Sequence, residues 1–261
     1  MSSLANKVAL ITGGSAGLGA ATARALAALQ MRVVINYSSN EKRAQKTLDE
    51  LHQISSGHSG TNPPDKSKKQ HILLKADVSS RTEIDKLVDV AVSEMGQVDV
   101  VFSNHGWTKA TTFGDLSDNI VDEDWDKCFN MNVKSHLYLM EASRKHLEKT
   151  VGTFIMTSTV AGVIPAGSSL AYAVTKAAQI HLMKCLAVIA SPKIRVNCVS
   201  PGMMITDWSL SFPEARREAT RKSTKLCRLA TVEDVAQQVC CFAMSQSVTG
   251  ANAIIDAGSS L

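Results

Sequence analysis

The sequence predicts an α/β domain: a parallel sheet of seven strands, doubly wound, with helices on both faces. Three observations carry this reading. Short β-branched apolar runs alternate with helical stretches along the chain. Glycines cluster where the first apolar run hands over to the first helical stretch. No linker and no internal repeat divides the 261 residues, so 1–261 reads as a single domain.

"KVALITGG" opens as a buried strand and ends on glycines. "GLGAATARALAALQM" follows as a helix with Leu18, Thr22, Ala25, Leu26 and Leu29 near one face. "RVVINY" is the second strand, and "EKRAQKTLDELHQI" a polar helix with apolar Ala44, Leu48, Leu51 and Ile54. The later strands are "HILLKADV", "VDVVFSNHG", "GTFIMTS", "KIRVNCVSPG" and "NAIIDAG". Between them lie helices at 81–96, 122–149, 170–190 and 231–244. The last starts with Thr231 and Asp234 in a capping pattern. Polar "SSGHSGTNPPDKSKKQ", 55–70, breaks the rhythm and reads as a surface-loop insertion.

Composition narrows the function classes. Apolar residues make up 44% and charged residues 20%, as in an ordinary globule. A net charge of +4, dispersed along the chain, gives no case for nucleic acid or membrane as a partner. Six cysteines, at 128, 185, 198, 227, 240 and 241, form no Cys-x-x-Cys pair and no metal-ligand spacing, so no metal is expected. Neither a secretory signal nor a run of about 18 apolar residues is visible, so a cytoplasmic location is expected. The end, Ser259-Ser260-Leu261, is a loose relative of the peroxisomal Ser-Lys-Leu address.

Two motifs carry chemistry. In "TGGSAGLG", 12–19, Gly13, Gly17 and Gly19 allow a tight turn and close approach of a pyrophosphate. The helix N-terminus that follows offers free N–H groups and a positive dipole end. Tyr172 and Lys176 stand four apart in a helical stretch and share a face. An ammonium there is expected to lower the phenol's pKa, which suits an acid catalyst.

Together with "SNHG" (103–106), Asn132 in "FNMNVKSH" and "SPGMMIT" (200–206), these motifs resemble the short-chain dehydrogenase/reductase family. The turn matches that family's TGxxxGxG, "YAVTK" its Tyr-x-x-x-Lys, and the order of all five is kept from about residue 5 onward. The resemblance implies one Rossmann-type domain, a homotetramer or homodimer, and hydride transfer between a nicotinamide cofactor and a carbonyl or alcohol. Tyr172 would then be the general acid. Lys176 would stabilise the tyrosinate and hold the nicotinamide ribose, and Asn132 would anchor a water that serves Lys176. The cofactor would lie on Gly13, Ser15, Gly17, Leu18 and Gly19, on Asp77 and Val78 after the third strand, and on Asn104 and Gly106. Tyr172, Lys176, Pro201, Gly202, Ile205 and Thr206 complete its implied contacts.

Two departures matter. The family places a Ser thirteen residues before the Tyr; here Thr159 stands there, with Ser158 beside it. Neighbouring strand residues face opposite sides, so one of the two is expected in the site, with Thr159 favoured. At the end of the second strand stand Asn36, Tyr37, Ser38 and Ser39, with no carboxylate to repel a 2′-phosphate. NADP(H) is therefore the expected cofactor. His105, Trp107, Ala166, Met203 and Trp208 are the expected substrate contacts, with about 203–228 as a lid. Their apolar character favours a fairly bulky, apolar small molecule reduced by an NADPH-dependent enzyme. A non-redox cyclase or isomerase on the same scaffold is one alternative, and an inactive dinucleotide-binding protein is the other.

Overall fold

The computed structural model describes residues 3–57, 68–210 and 212–261. Seven strands form one all-parallel sheet: β1 (Val8–Ile11), β2 (Arg32–Tyr37), β3 (His71–Lys75), β4 (Val100–Ser103), β5 (Thr153–Thr157), β6 (Arg195–Pro201) and β7 (Asn252–Ile255). They lie in the order β3-β2-β1-β4-β5-β6-β7. The direction of winding reverses between β1 and β4, so their carboxyl ends open a crevice where ligands of open α/β sheets bind.

Alternation along the strands separates two cores. Val8, Leu10, Val34, Val101, Phe154 and Met156 face one side, and Ala9, Ile11, Val33, Ile35, Phe102 and Ile155 face the other. The first side is covered by α3 (Arg81–Met95), α5 (Ser135–Thr150) and α6 (Leu170–Ala190). The second is covered by α1 (Gly17–Ala28), α2 (Glu41–Ser56) and α9 (Val232–Met244). Helix α6 is long and apolar enough to cross a bilayer by length and composition, yet it packs along β6. The expected cap of α9 is present as a reciprocal Thr231–Asp234 box.

Two stretches differ from expectation, and a third falls mostly outside the described residues. The single helix read at 122–149 is α4 (Asp122–Phe129), a π-turn at Asn130–Lys134, then α5. π-turns of this kind gather at functional sites, and this one carries Asn132. The loop read at 203–228 contains α7 (Asp207–Leu210) and α8 (Glu214–Ser223). Residues 58–67, most of the insertion read at 55–70, lie outside the described residues.

Candidate active site

The turn after β1 is shaped for an anion. Gly13 and Gly17 hold positive φ values of +60° and +50°. A Cβ on Gly19 would stand 2.3 Å from the Gly13 carbonyl oxygen, so helix and turn pack at a distance only glycine permits. Helix α1 begins at Ala16 with no side-chain cap and no acidic residue in its first turn. Its first N–H groups are therefore available to a ligand, and the dipole favours negative charge. This uncapped N-terminus fits the pyrophosphate of a dinucleotide. Thr206 lies against the turn, within 3.4 Å of where a Gly17 Cβ would be.

A cavity of about 590 Å³ opens from this turn across the carboxyl ends of β4, β5 and β6. Ala16, Gly17, Leu18 and Arg43 line one end; Asn104 and Gly106 line the middle. Thr159, Ala166, Tyr172, Lys176, Pro201 and Gly202 line the other end. Met203, Met204, Thr206, Trp208, Phe212 and Arg216 line the lid side. The Trp208 ring lies 5.9 Å from the Tyr172 ring, centroid to centroid.

Tyr172 and Lys176 meet here because both sit on α6, whose N-terminus is capped by the Ser169 hydroxyl. The Lys176 ammonium lies 5.8 Å from the Tyr172 ring centroid and donates to the Thr157 carbonyl and to Gln179 Oε1, each at 2.8 Å. Its side chain is almost wholly buried, and desolvation lowers its pKa to about 8. The phenol does not follow expectation. Burial pushes the Tyr172 pKa up rather than down, and a hydrogen bond with Thr159 only partly offsets this. Low-dielectric surroundings favour the neutral phenol more than the Thr159 hydrogen bond opposes it.

Strand β5 ends at Thr157, so Ser158 and Thr159 lie beyond the pleat, and both line the cavity. Ser158 is buried, and its hydroxyl donates to the Lys176 backbone carbonyl at 2.9 Å, which steadies α6. Thr159 bonds the Pro201 carbonyl at 3.2 Å and stands beside the phenol. Asn132 is fully buried, with its amide wholly engaged. Its Oδ1 accepts the Trp107 N–H at 2.8 Å, and its Nδ2 donates to the Trp107 carbonyl and to Thr175 Oγ1. A Cβ at Gly106 would sit 3.3 Å from both Asn132 Oδ1 and Lys176 Nζ, so the loop passes closely over these groups.

Several residues expected at the site lie off the cavity wall or bond their side chains within the protein. His105 is turned inward: Nδ1 lies 2.8 Å from Thr12 Oγ1 and Nε2 lies 2.7 Å from Ser135 Oγ. Burial, and to a lesser degree the Lys176 charge, hold its pKa at about 3, so it is neutral; the residue still lines the cavity, with both ring nitrogens engaged by protein hydroxyls. Trp107 is absent from the cavity wall; Lys127 of α4 covers its ring at 4.4 Å. Asn36 is buried and donates to the carbonyls of Tyr37, Leu74 and Ala76, so it clamps β2 to β3 and offers nothing to a phosphate. Tyr37 is buried, and Val78 packs into the core. Ile205 is 56% exposed and lies off the cavity wall. Ser15, Ser38, Ser39 and Asp77 lie around the turn and the ends of β2 and β3, outside the cavity lining. Asp77 accepts the Ser79 N–H at 2.9 Å.

Arg43 went unread in the sequence. Asn40 caps α2 by accepting the Arg43 N–H, which sets Arg43 in the first helical turn beside the exposed Ser38 and Ser39. Its guanidinium pairs with Asp207 of α7 at 2.8 Å, across the cavity mouth.

Comparison with known proteins agrees with this geometry. Residues 13–260 match a family model described as enoyl-(acyl carrier protein) reductase. The chain is 33% identical to a granaticin polyketide synthase putative ketoacyl reductase of Streptomyces violaceoruber, covering 97% of this chain and 96% of that one. It is 34% identical to a probable tetrahydroxynaphthalene reductase of Zymoseptoria tritici, covering 79% of this chain and 71% of that one. A short-chain dehydrogenase of Burkholderia cenocepacia J2315 in complex with NADP superposes with a TM-score of 0.86 at 28% identity, over the full length of both chains. The glycine turn, the Tyr172–Lys176 pair above the crevice and these likenesses place the chain in the short-chain dehydrogenase/reductase family, as an NAD(P)-dependent reductase.

Proposed function

We propose that this protein is an NADPH-dependent reductase of a bulky, largely apolar carbonyl compound, with Tyr172 as general acid. One observation carries the reading: a single cavity joins the uncapped N-terminus of α1 to the buried Tyr172–Lys176 pair under an apolar cover of Met203, Met204, Trp208 and Phe212. When bound, NADPH supplies hydride to the carbonyl carbon. Tyr172 gives its phenolic proton to the carbonyl oxygen, leaving an alcohol and a tyrosinate. The Lys176 ammonium stabilises that tyrosinate, and the Thr159 hydroxyl orients the substrate oxygen beside the phenol. The phenol is protonated at neutral pH, the form in which it can give a proton.

The preference for NADPH rests on Arg43. Its guanidinium stands at the phosphate end of the cavity, and no acid occupies 36–40 to oppose a 2′-phosphate. Fused-ring and polyketide-like ketones suit the apolar cover, and the similarity to a ketoacyl reductase and a tetrahydroxynaphthalene reductase points the same way. Self-association is part of the same reading, since Leu137 of α5 and Val188 and Ile189 of α6 are exposed. Sedimentation at micromolar concentration checks it, and a monomer contradicts it.

The test is cofactor oxidation by the purified protein across ketones of increasing size, with NADPH and NADH in parallel. Turnover that rises with apolar bulk and is much poorer with NADH is expected. Tight NADPH binding with no carbonyl reduced would overturn the redox reading in favour of a non-redox reaction on this scaffold.

A further inference from the structure

Behind Lys176, on the side away from the cavity, lies a chain of buried polar groups that the reaction as described does not use. Lys176 Nζ donates to Gln179 Oε1 at 2.8 Å. Gln179 Nε2 meets His136 Nε2 at 3.0 Å, and His136 Nδ1 meets Ser103 Oγ at 2.6 Å. Gln179 and His136 are fully buried, and Lys176 and Ser103 are nearly or fully so. The His136 ring stacks on His105 at 4.1 Å with only 10° between planes.

The donors and acceptors permit one arrangement. An ammonium has no acceptor, so the Gln179 oxygen must face it and the Gln179 amide N–H must face His136. His136 Nε2 must then accept, which places its proton on Nδ1 and directs it to Ser103. A protonated His136 would oppose N–H to N–H. Burial, with the nearby Lys176 charge, agrees, holding its pKa well below the usual imidazole value. Gln179 is thus locked with its carbonyl toward Lys176. With Thr157 taking a second proton, one N–H of the ammonium is left for the cavity that Lys176 lines.

We infer that Gln179, oriented by His136, is a positioning residue for Lys176: it holds the ammonium in place and in its charged form by accepting one of its three hydrogen bonds. The inference rests on the reductase reading above. The titratable groups around Lys176 are Tyr172 on its own helix, Cys198 on β6, Cys128 on α4, His105 after β4 and His136 on α5. No carboxylate is among them, so the amide carbonyl is the strongest acceptor supplied to the charge by a side chain.

Two near-isosteric variants test this, because they push the same proton in opposite directions. Gln179→Met removes the acceptor and is expected to move the alkaline limb of the kcat/KM profile down by about one pH unit. Gln179→Glu puts a carboxylate on the ammonium and is expected to move the limb up by a similar amount. Loss of packing alone has no reason to produce opposite shifts. His136→Phe leaves Gln179 unanchored and is expected to act as Gln179→Met does, less strongly. The Lys176 titration, followed by NMR in cofactor-free protein labelled on lysine, is expected to move with the limbs. It provides a readout even where a variant is inactive. Limbs and Lys176 titration unmoved in both Gln179 variants would overturn the inference. Tyr172→Phe run alongside separates the two claims: full activity there overturns the reading of the site, whereas its inactivity with unmoved limbs overturns only the role of Gln179.

Discussion

The floor and the lid of the cavity are built differently. The floor is made of groups whose hydrogen bonds are committed: Asn132, Ser158, Lys176 and Gln179 are buried and bonded to backbone or to one another. The lid carries apolar Met203, Met204, Trp208 and Phe212 on short helix α7 and the turns around it, and the exposed Arg43–Asp207 pair ties it to α2. Committed hydrogen bonds hold reacting groups to fractions of an ångström, as general acid catalysis needs. Surface pairs are worth little in water and release easily, as a cover over a substrate must. The difference teaches where rigidity is placed and where adaptability is left.

If the comparison holds, changes to the floor dominate. Lys176→Met is expected to lower kcat/KM by about a hundredfold or more. Steady-state kinetics with any accepted ketone check this. Gly19→Ala drives a methyl into the Gly13 carbonyl, and is expected to cost about 1–3 kcal/mol of stability together with cofactor binding. Denaturant melts and a binding titration read the two effects.

Two buried histidines, His105 beside the cavity and His71 on β3, give the protein a pH signature. His105 and His71 are held neutral by burial, with pKa values lowered to about 3 and about 4. A folded-state pKa below the unfolded value of 6.5 means that unfolding takes up protons below pH 6.5. Their contribution is therefore full above pH 6.5 and is lost as pH falls toward those values. Each adds a slope approaching 1.4 kcal/mol per pH unit over that range. Lys176 acts at the other end: its lowered pKa makes stability rise with pH from about 8 toward 10.5. Melting curves across pH check both limbs, and His105→Asn is expected to flatten the acid one.

Changes on the lid side are expected to be smaller. Arg43→Ala is expected to reduce the preference for NADPH over NADH by about tenfold, with little effect on kcat. Asp207→Asn breaks only the exposed pair across the mouth and is expected to change stability by under about 1 kcal/mol. A loss from Asp207→Asn as large as that from Lys176→Met would end the distinction between floor and lid.

How much of this was legible in the sequence follows the same division. Spacing within one element transmits directly: Tyr172 and Lys176 share a face because α6 is a regular helix, and the glycine turn is local backbone chemistry. The seven strands were legible because buried parallel strands are apolar throughout. Side-chain direction in loops and at strand ends was not. His105 and Trp107 look like ligand contacts in the sequence, but one imidazole finds Thr12 and Ser135, and one indole finds Lys127. Asn36 did carry a signal: alternation puts it on the same side of β2 as Val34, facing the core. Arg43 carried one too, since an N-cap at Asn40 turns the third helical residue back toward the strand end. Strand alternation could not separate Ser158 from Thr159, because β5 ends at Thr157 and both residues line the cavity. The π-turn at Asn130–Lys134 left no mark, because its helical pattern continues on both sides.

The central claim is that Tyr172 is the acid of a carbonyl reductase. The most direct measurement compares the parent with Tyr172→Phe for NADPH binding and for turnover of the best ketone found. The account expects binding within a fewfold of the parent and turnover reduced by at least about a hundredfold. Turnover equal to the parent's, with binding intact, would contradict it.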